Sequence, residues 1–398
     1  MRVMMLSWEY PPNIVGGISR HVEELAGALV RRGHEIHVIT SEFDGSLPEE
    51  QVKGVFIHRV KADGDKSDFL GWVKSLNYYT ELKVDELLED DPGKPVIMHA
   101  HDWLAEFSAL ALKNKHKLPL VATIHATEHG RNYGIYSDMQ RYISHLEWEL
   151  AYEAWRVIVC SEFMKVEVHS TLSTPVDKMD VIPNGVDAIK FDFNFRDKAK
   201  FREGYAAKDE KIIFHVGRNV YEKGGSTLVE AFKKVLHECP KSKLLIVGGG
   251  DRTWLKEKAA LLGISDRVYF TGFVDDETLL KLYRVADVAV FPSYYEPFGI
   301  VALEGMAAKV PVVTSDACGL AEVVDHNITG ITTWANNADS LAWGILEVFK
   351  KSPMELKKMI DTAYAKATSV YSWERIAEQT ESVYKRVWSE YKGSDWGK

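Results

Sequence analysis

Short apolar runs alternate with amphipathic segments along most of the chain. Residues 2–7 form the first apolar run, residues 19–32 carry apolar side chains at helical spacing, and residues 35–40 are rich in β-branched residues. The short runs predict buried strands, and the helical spacing predicts a helix between them. A helical connection between two strands implies that the strands pair in parallel. Further strands are predicted at 96–100, 120–125 and 157–161.

A second series of the same kind follows a change in sequence character near residue 188. Residues 180–187 are rich in turn-forming residues, and residues 188–210 are charged with weak periodicity. The strands predicted after this segment lie at 211–217, 243–247, 268–273, 287–291 and 311–314. Each series is long enough to enclose a sheet and a core of its own.

We therefore expect an α/β protein with two doubly wound, Rossmann-like domains, at 1–187 and 188–371. The remaining residues, 372–398, contain an amphipathic segment at 372–391, which predicts a helix able to pack back on the first domain. Ligands of doubly wound sheets bind beyond the carboxyl ends of the strands. The expected site is therefore a deep cleft between the two domains.

The composition is that of a globular protein, and it narrows the classes of partner. The chain has 398 residues, of which 46% are apolar and 27% are charged. Its 49 lysines and arginines are outnumbered by 58 aspartates and glutamates, which gives a formal charge of −9. Because a net acidic surface repels phosphate backbones, we expect no nucleic-acid partner. The oligomeric state stays open.

Neither the start of the chain nor its apolar runs predict export or membrane insertion. The segment MRVMMLSWEYPP has too short an apolar run for a signal peptide. No run approaches the roughly 20 apolar residues of a spanning helix. The three cysteines, Cys160, Cys239 and Cys318, lie far apart and form neither a zinc motif nor a disulfide framework. We therefore expect a cytoplasmic protein without stable membrane insertion.

Candidate ligand-binding residues follow the predicted strands of the first half. Gly16 and Gly17 directly precede a helix, where backbone N–H groups can approach an anion. The chain has no G-x-G-x-x-G and no G-x-x-x-x-G-K-[ST] sequence, which disfavours a dinucleotide-binding or P-loop enzyme. His99 and His101 lie on one side of a strand by alternation, which is compatible with a metal ion. The two histidines are better explained as polar residues at a strand end that line a cleft and cap the next helix. We therefore expect no metal ion.

His125 ends another strand of the first half and begins a polar loop. A lone histidine at such a position is more often a satisfied core residue than a catalyst. Its place at the expected cleft makes a functional role about as plausible as a structural one.

The second half offers cations and carboxylates at the corresponding places. Arg218 and Lys223 follow a strand, lie beside glycines and precede a helix, which suits a diphosphate. Glu296 and Glu304 are eight residues apart and bracket a Pro-Phe-Gly segment. If a helix begins near Gly299, Glu304 lies in its second turn and Glu296 in the loop before it. A helix N-terminus with two carboxylates suits a polyhydroxylated ligand that carries a phosphate, although capping acids and a glycosidase pair are alternatives.

In combination, these segments resemble the retaining nucleotide-sugar glycosyltransferases of family 4. The segments are Gly16-Gly17, Thr-Ile-His at 123–125, Gly217-Arg218 with Lys223-Gly224, and Glu296-Pro-Phe-Gly299 with Glu304. The resemblance covers nearly the whole chain, in the same order and spacing. The sequences HAHDW at 99–103 and IPNGVD at 182–187 are similar to those of glycogen and starch synthases. The resemblance implies the GT-B architecture, in which two Rossmann-like domains face each other across a deep cleft.

The resemblance also implies roles for individual residues. Arg218 and Lys223 would hold the donor diphosphate, Glu296 would bind hydroxyls of the donor sugar, and His125 would contact that sugar near the reacting centre. The residues expected to bind substrate are Gly16, Gly17, Asp102, Asn184, Phe298, Gly299, Ile300, Glu304, Gly272, Phe273 and Val274.

Among the substrate-binding residues, Glu304 would hold the ribose of the donor. The segment 272–274 would border the base. Asp102 and Asn184 would lie near the donor sugar or the acceptor.

The function implied is transfer of a hexose, with glucose favoured, from an ADP- or UDP-sugar to an α-glucan or maltooligosaccharide. The anomeric configuration would be retained, and neither a metal nor another cofactor would be needed. The alternatives are a product that is a disaccharide or sugar phosphate, a lipid or cell-wall acceptor, and a sugar-binding protein without turnover. The sequence does not choose between adenine and uracil as the donor base.

Overall fold

The computed structural model describes residues 1–64, 67–91 and 93–397 and divides the chain into two α/β units. The first unit comprises Met1–Asn184 and Trp373–Lys398, and the second comprises Gly185–Ser372. The sequence analysis placed these divisions after residues 187 and 371. At the two ends of the second unit, the backbone N–H of Val186 donates a hydrogen bond to the carbonyl oxygen of Tyr371 at 2.8 Å.

The first unit is built on an eight-stranded sheet. Its strands are β1 (Arg2–Leu6), β2 (Glu35–Ser41), β3 (Glu49–Val52), β4 (Val55–Val60), β5 (Val96–His101), β6 (Leu120–Ile124), β7 (Arg156–Val159) and β8 (Met179–Val181). Their order across the sheet is β3-β4-β2-β1-β5-β6-β7-β8, and only β3 pairs antiparallel. The central strands β1, β5 and β6 are buried along their whole length, as in parallel sheets with helices on both faces.

Helices cover this sheet because their apolar faces complete the core. They are α1 (Gly17–Arg31), α2 (Phe69–Asp90), α3 (Glu106–His116), α4 (Glu128–Asn132), α5 (Asp138–Glu153) and α6 (Glu162–Leu172). In α1, Val22, Leu25, Ala26 and Leu29 repeat at helical spacing and are buried in the core of the unit. The helix stops before Gly33, whose φ of +86° is the left-handed conformation that commonly ends helices.

The second unit is built on a six-stranded parallel sheet. Its strands are β9 (Lys211–Val216), β10 (Ser242–Val247), β11 (Val268–Gly272), β12 (Val288–Phe291), β13 (Val312–Ser315) and β14 (Ile331–Thr333), in the order β11-β10-β9-β12-β13-β14. Its helices are α7 (Ala188–Phe191), α8 (Lys198–Glu203), α9 (Gly225–Glu238), α10 (Thr253–Leu261), α11 (Asp276–Val285), α12 (Ile300–Ala307), α13 (Leu320–Val323), α14 (Ala338–Lys350) and α15 (Pro353–Ser369).

The last helix, α16 (Trp373–Gly393), returns to the first unit. It packs along α1, and its residues Ile376, Tyr384 and Val387 are fully buried in that unit's core. Arg32 Nε also donates a hydrogen bond to Glu381 Oε2 at 2.9 Å, which links the polar edges of the two helices. In the described ranges, no helix of the chain has both the length and the apolarity needed to cross a membrane.

The prediction of the fold class is confirmed: both units are α/β with parallel sheets. Four short strands were not predicted, namely β3, β4, β8 and β14. β3 is charged and lies at a sheet edge, β8 and β14 have three residues each, and β4 includes His58 and Arg59, which interrupt its apolar run.

Among the parallel strands of each sheet, the chain order changes direction at one point. This switch point lies between β1 and β5 in the first unit and between β9 and β12 in the second. Loops diverge beyond the carboxyl ends of the strands at such points, and ligands bind there in doubly wound sheets. Most of the residues singled out from the sequence lie in four loops, which follow β1, β5, β9 and β12.

Candidate functional site

The loop after β1 brings Gly16 and Gly17 to the start of α1, and a carboxylate already contacts its N–H groups. Glu9 Oε2 accepts hydrogen bonds from the backbone N–H groups of Val15 and Gly16, at 2.6 and 2.8 Å. Glu9 is buried. An external anion at this loop therefore competes with Glu9, which the sequence analysis did not identify as part of the loop.

Asp102, directly after β5, ties together two loops of the first unit. It is buried, and its φ of +60° with ψ of 171° lies in a region that non-glycine residues rarely occupy, at a cost of about 1–3 kcal/mol. Its Oδ1 accepts a hydrogen bond from the backbone N–H of His125 at 2.7 Å, and Arg131 Nη2 lies 3.4 Å from Oδ2. Burial raises the pKa of Asp102 to about 6. The strained aspartate thus fixes the position of the loop that follows β6.

His125, at the start of that loop, is a neutral imidazole at pH 7. Burial and the nearby Arg131 lower its pKa to about 3. Its Nε2 lies 3.1 Å from Nδ1 of His101, which ends β5. A neutral imidazole both donates and accepts hydrogen bonds, which suits contact with sugar hydroxyls.

His21 joins this group from α1 and was missed in the sequence analysis. Its Nδ1 lies 2.6 Å from Oδ1 of Asn184, and its ring centroid lies 4.7 Å from that of His125. We call His21, His101 and His125 the histidine cluster. The chain separation of 163 residues between His21 and Asn184 gave no sequence signal for their contact.

His99 has a structural role beside the histidine cluster. Its Nδ1 lies 2.7 Å from the hydroxyl of Tyr384 on α16, and its Nε2 lies 2.7 Å from Oγ1 of Thr123 on β6. Both ring nitrogens are therefore engaged, and the side chain is completely buried.

In the second unit, the loop after β9 and the loop after β12 meet through an ion pair. Lys223 Nζ lies 2.7 Å from Glu296 Oε2, with side-chain exposures of 22% and 13%. Ser293 Oγ lies 3.3 Å from the same oxygen. Gly224 makes this approach possible, because its φ is +69° and a Cβ there would collide with the carbonyl group of Pro292.

Arg218 lies in the same loop as Lys223 and is more exposed. Its Nη2 is 3.7 Å from Glu222 Oε1, and 55% of its side chain is accessible to solvent. The guanidinium is therefore available to an incoming anion at small desolvation cost, whereas Lys223 must exchange its carboxylate partner.

The segment after Glu296 leads directly into α12. Phe298 is buried, Gly299 has a φ of +107°, and Ile300 is the first residue of the helix. Glu304 lies in the second turn, as the spacing predicted, and is 7% exposed. Tyr283 of α11, which the sequence analysis did not single out, is fully buried and donates a hydrogen bond from its hydroxyl to Glu304 Oε2 at 2.9 Å. Tyr283 thereby orients the carboxylate expected to bind ribose.

The segment Gly272–Val274 begins with the last residue of β11, at the carboxyl end of the second sheet. Gly272 has a φ of +79°, and its carbonyl oxygen accepts a hydrogen bond from the backbone N–H of Gly248 at 2.9 Å. Phe273 is 76% exposed, so its ring offers a free apolar surface beside the strand ends. Such a surface can stack against a planar base.

The structure thus assembles the predicted residues into two groups, one in each unit. In the first, Asp102, His125 and Asn184 are linked through backbone and imidazole contacts, and Gly16 is held by Glu9. In the second, Lys223 and Glu296 are paired, and Glu304 follows on the adjoining helix. Cations, a helix N-terminus and carboxylates in the second group can bind phosphate and hydroxyl groups together.

Family comparisons match both halves of the chain. Residues 15–189 match the family described as Glycosyltransferase Family 4, and residues 197–366 match Glycosyl transferases group 1. Among related proteins, an uncharacterized glycosyltransferase of Methanocaldococcus jannaschii is 42% identical over 97% of this chain and 98% of its own length. A glycogen synthase of Mycobacterium tuberculosis is 34% identical over 96% of this chain and 94% of its own. A D-inositol 3-phosphate glycosyltransferase of Mycolicibacterium smegmatis is 29% identical over 95% and 88%.

Solved structures share the fold over nearly the whole chain. Sucrose-phosphate synthase from Thermosynechococcus elongatus has a TM-score of 0.84 at 23% identity, covering 98% of this chain and 99% of its own. The catalytic domain of starch synthase IV from Arabidopsis thaliana, bound to ADP and acarbose, has a TM-score of 0.76 at 18% identity, covering 98% and 99%.

Proposed function

Because this chain belongs to the glycosyltransferases of family 4 and group 1, we propose that it transfers a hexose, glucose above all, from an ADP- or UDP-sugar to an α-glucan or maltooligosaccharide. The relationship to a glycogen synthase, at 34% identity over 96% of the chain, supports this acceptor class. The observation that carries the proposal is the Lys223–Glu296 pair at the switch point of the second sheet, with Arg218 beside it.

The second unit holds the donor in this proposal. Arg218 and Lys223 bind the diphosphate, Glu296 accepts hydrogen bonds from sugar hydroxyls, and Glu304 accepts them from the ribose. The backbone N–H groups of Phe298, Gly299 and Ile300 lie at the N-terminus of α12, and the partial positive charge of that helix end also attracts the diphosphate. Gly272, Phe273 and Val274 border the base.

Two side chains of the first unit contribute to the reacting centre. His125 hydrogen-bonds the transferred sugar as a neutral imidazole, because its pKa is about 3. Asp102, held in a strained conformation, fixes the His125 loop by accepting the backbone N–H of His125. Asn184 is joined to His125 through His21, whose Nδ1 lies 2.6 Å from Asn184 Oδ1 and whose ring centroid lies 4.7 Å from that of His125.

The chemical step needs stabilisation of charge rather than a protein nucleophile. The bond between the anomeric carbon and the diphosphate oxygen breaks, which leaves positive charge on the sugar and negative charge on the leaving diphosphate. Arg218 and Lys223 stabilise that negative charge in place of a metal cofactor. A hydroxyl of the acceptor then bonds to the anomeric carbon on the same face, and its proton passes to the diphosphate, so that configuration is retained.

A donor–acceptor matrix tests the proposal. The purified full-length chain is incubated with ADP-glucose and with UDP-glucose against glycogen, maltose and glucose 1-phosphate, and both released nucleotide and glycosylated product are measured. We expect chain extension of glycogen or maltose with one of the donors and an α-linked product. Transfer to glucose 1-phosphate alone, or hydrolysis alone, would contradict the proposed acceptor.

A small phosphorylated polyol is the second candidate acceptor. The relatives that are D-inositol 3-phosphate glycosyltransferases support it, as does Arg131, a partly exposed cation beside Asp102 and His125. Adding D-inositol 3-phosphate to the matrix distinguishes the two candidates. We also propose a cytoplasmic location, because Cys160, Cys239 and Cys318 lie far apart in the chain and form no disulfide framework or zinc motif.

A further inference from the structure

The histidine cluster contains ring nitrogens that the proposed reaction does not use. His21 is 4% exposed and His101 is completely buried. One nitrogen from each of His21, His101 and His125 lies within 4.8 Å of the corresponding nitrogens of the other two. Among the described residues, Nε2 of His21 and Nε2 of His101 have no hydrogen-bond partner.

The hydrogen bond to Asn184 fixes the tautomer of His21. Because an amide oxygen only accepts hydrogen bonds, Nδ1 of His21 must carry the proton. Its Nε2 then carries a lone pair, and the ring centroid lies 5.4 Å from that of His101 and 4.7 Å from that of His125. Orientation of a histidine through its second nitrogen is the arrangement that metal-binding histidines usually show.

The spacing of His101 and His125 also suits a shared cation. Their Nδ1 and Nε2 atoms lie 3.1 Å apart. Two ligands of a tetrahedral zinc ion, each about 2.0–2.1 Å from the metal, are about 3.3 Å apart. One ring nitrogen of His21 lies within 4.8 Å of the ligand nitrogens of His101 and His125, so a small shift of its side chain brings it into the same range.

The electrostatic surroundings favour a transition metal over a hard cation. An imidazole with an ordinary pKa of about 6.5 is mostly unprotonated at neutral pH, so each ring can offer a lone pair to a metal ion. Imidazole ligands select Zn²⁺, Cu²⁺ and Ni²⁺ rather than Mg²⁺ or Ca²⁺. Asp102 and Arg131 form an ion pair next to the cluster, and their charges offset each other.

We propose that His21, His101 and His125 form a site for a transition-metal ion of the Zn²⁺ class, and that an ion bound there inhibits sugar transfer. The inhibition follows because a metal on Nε2 of His125 leaves the proton on Nδ1, so that the ring has no lone pair left to accept a hydrogen bond from the donor sugar. This second half rests on the proposed function, whereas the metal site itself does not.

Metal binding is measured first, without reference to activity. The full-length chain is freed of metal with EDTA, and Zn²⁺ is titrated in competition with a chromophoric chelator; Co²⁺ absorption in the visible range reports the geometry. We expect one ion per chain in tetrahedral coordination, with the three imidazoles and one water molecule as ligands. His21→Gln should abolish this site, and Asn184→Ala should weaken it by about 10- to 100-fold because it removes the group that orients His21. His145→Gln, at an exposed histidine of α5, is the matched control and should bind normally.

Inhibition is measured second, as the ratio of transfer rates with and without Zn²⁺ for each protein. The wild-type chain and His145→Gln should lose most of their activity and recover it with EDTA, whereas His21→Gln should keep the same rate in both conditions. Absence of a His21-dependent ion overturns the site. Binding without inhibition, or inhibition that persists in His21→Gln, overturns the inhibitory role. If no donor–acceptor pair gives transfer, the proposed function fails, and the binding titration still decides the metal site.

Discussion

Replacing Lys223 by methionine tests the role of the second unit most directly. The substitution keeps most of the side chain's length and apolar stem but removes the ammonium group, which lies 2.7 Å from Glu296 Oε2. Two consequences follow, one for the stability of the folded chain and one for turnover, and they differ in size.

The loss of stability should be small. A hydrogen bond to a charged group contributes about 1.5–3 kcal/mol, and the partial exposure of this pair reduces the value to about 1–2 kcal/mol. Glu296 keeps the Ser293 hydroxyl as a neighbour at 3.3 Å. For a domain of this size, about 2–4 °C in Tm corresponds to each kcal/mol, so a fall of about 2–8 °C is expected.

The loss of turnover should be much larger. Removing one preorganised group that stabilises transition-state charge typically lowers kcat by about 10²–10³, or about 2.7–4 kcal/mol. Glucose transfer at saturating donor and acceptor gives kcat, and a thermal unfolding scan gives Tm on the same preparation. Lys234→Met is the matched control, because Lys234 is a half-exposed lysine of α9 that pairs with Asp339 outside the site.

A double variant separates the two roles of Lys223. In Lys223→Met/Glu296→Gln the uncompensated carboxylate is gone, so Tm should recover toward the wild-type value while turnover stays low. A Lys223→Met variant that keeps its kcat within about threefold but loses stability would refute the reasoning, since Lys223 would then serve only to neutralise Glu296.

Three further outcomes are expected. Gly248→Ala should destabilise the chain by about 2 kcal/mol or more, because φ of Gly248 is +134° and the added Cβ would collide with a backbone carbonyl. Gly249 has open space around it, so Gly249→Ala should change stability by less than about 0.5 kcal/mol. Urea unfolding of both variants measures the difference. Burial raises the pKa of Glu106 to about 8, so its folded-state stabilisation is complete below about pH 4.3 and is lost as the pH rises toward 8. Glu106→Gln should therefore be more stable than wild type at pH 8 and show a shrinking advantage toward pH 4.5 in urea titrations. Tyr283→Phe removes the hydroxyl 2.9 Å from Glu304 and should raise KM for the donor about tenfold with kcat unchanged; an equal fall in kcat would show a different role.

The sequence predicted the parts of the site that depend on local pattern. Strand ends are visible as apolar runs that stop, and the residues that follow them, such as Asp102, His125 and Arg218, therefore fall at the carboxyl edge of a parallel sheet. The start of α12 was predictable for the same reason, because Gly299 marks its first turn and fixes where Glu304 lies.

Contacts between residues distant in the chain were not predictable. In the sequence, His21 is one polar residue in an amphipathic helix, and nothing in the pattern indicates its partner. Its contact with Asn184 arises when the first unit folds. Tyr283 is an ordinary core aromatic by its spacing, and its hydroxyl matters because α11 and α12 are neighbours in space. Glu9 is visible in the sequence as an acid before a glycine pair. Its hydrogen bonds with the backbone N–H groups of Val15 and Gly16 depend on the geometry of the loop, which the sequence does not show.

The second unit is an insertion in the first, and the hydrogen bond between Val186 and Tyr371 holds its entry and exit segments side by side. A gene fragment encoding residues 185–372 is therefore continuous and should yield an autonomous module. The first unit, in contrast, needs α16 supplied from the far end of the chain. A circular permutant that begins at Trp373 and passes through a linker to Met1 would join the pieces of that unit and place the inserted module at the new carboxyl terminus.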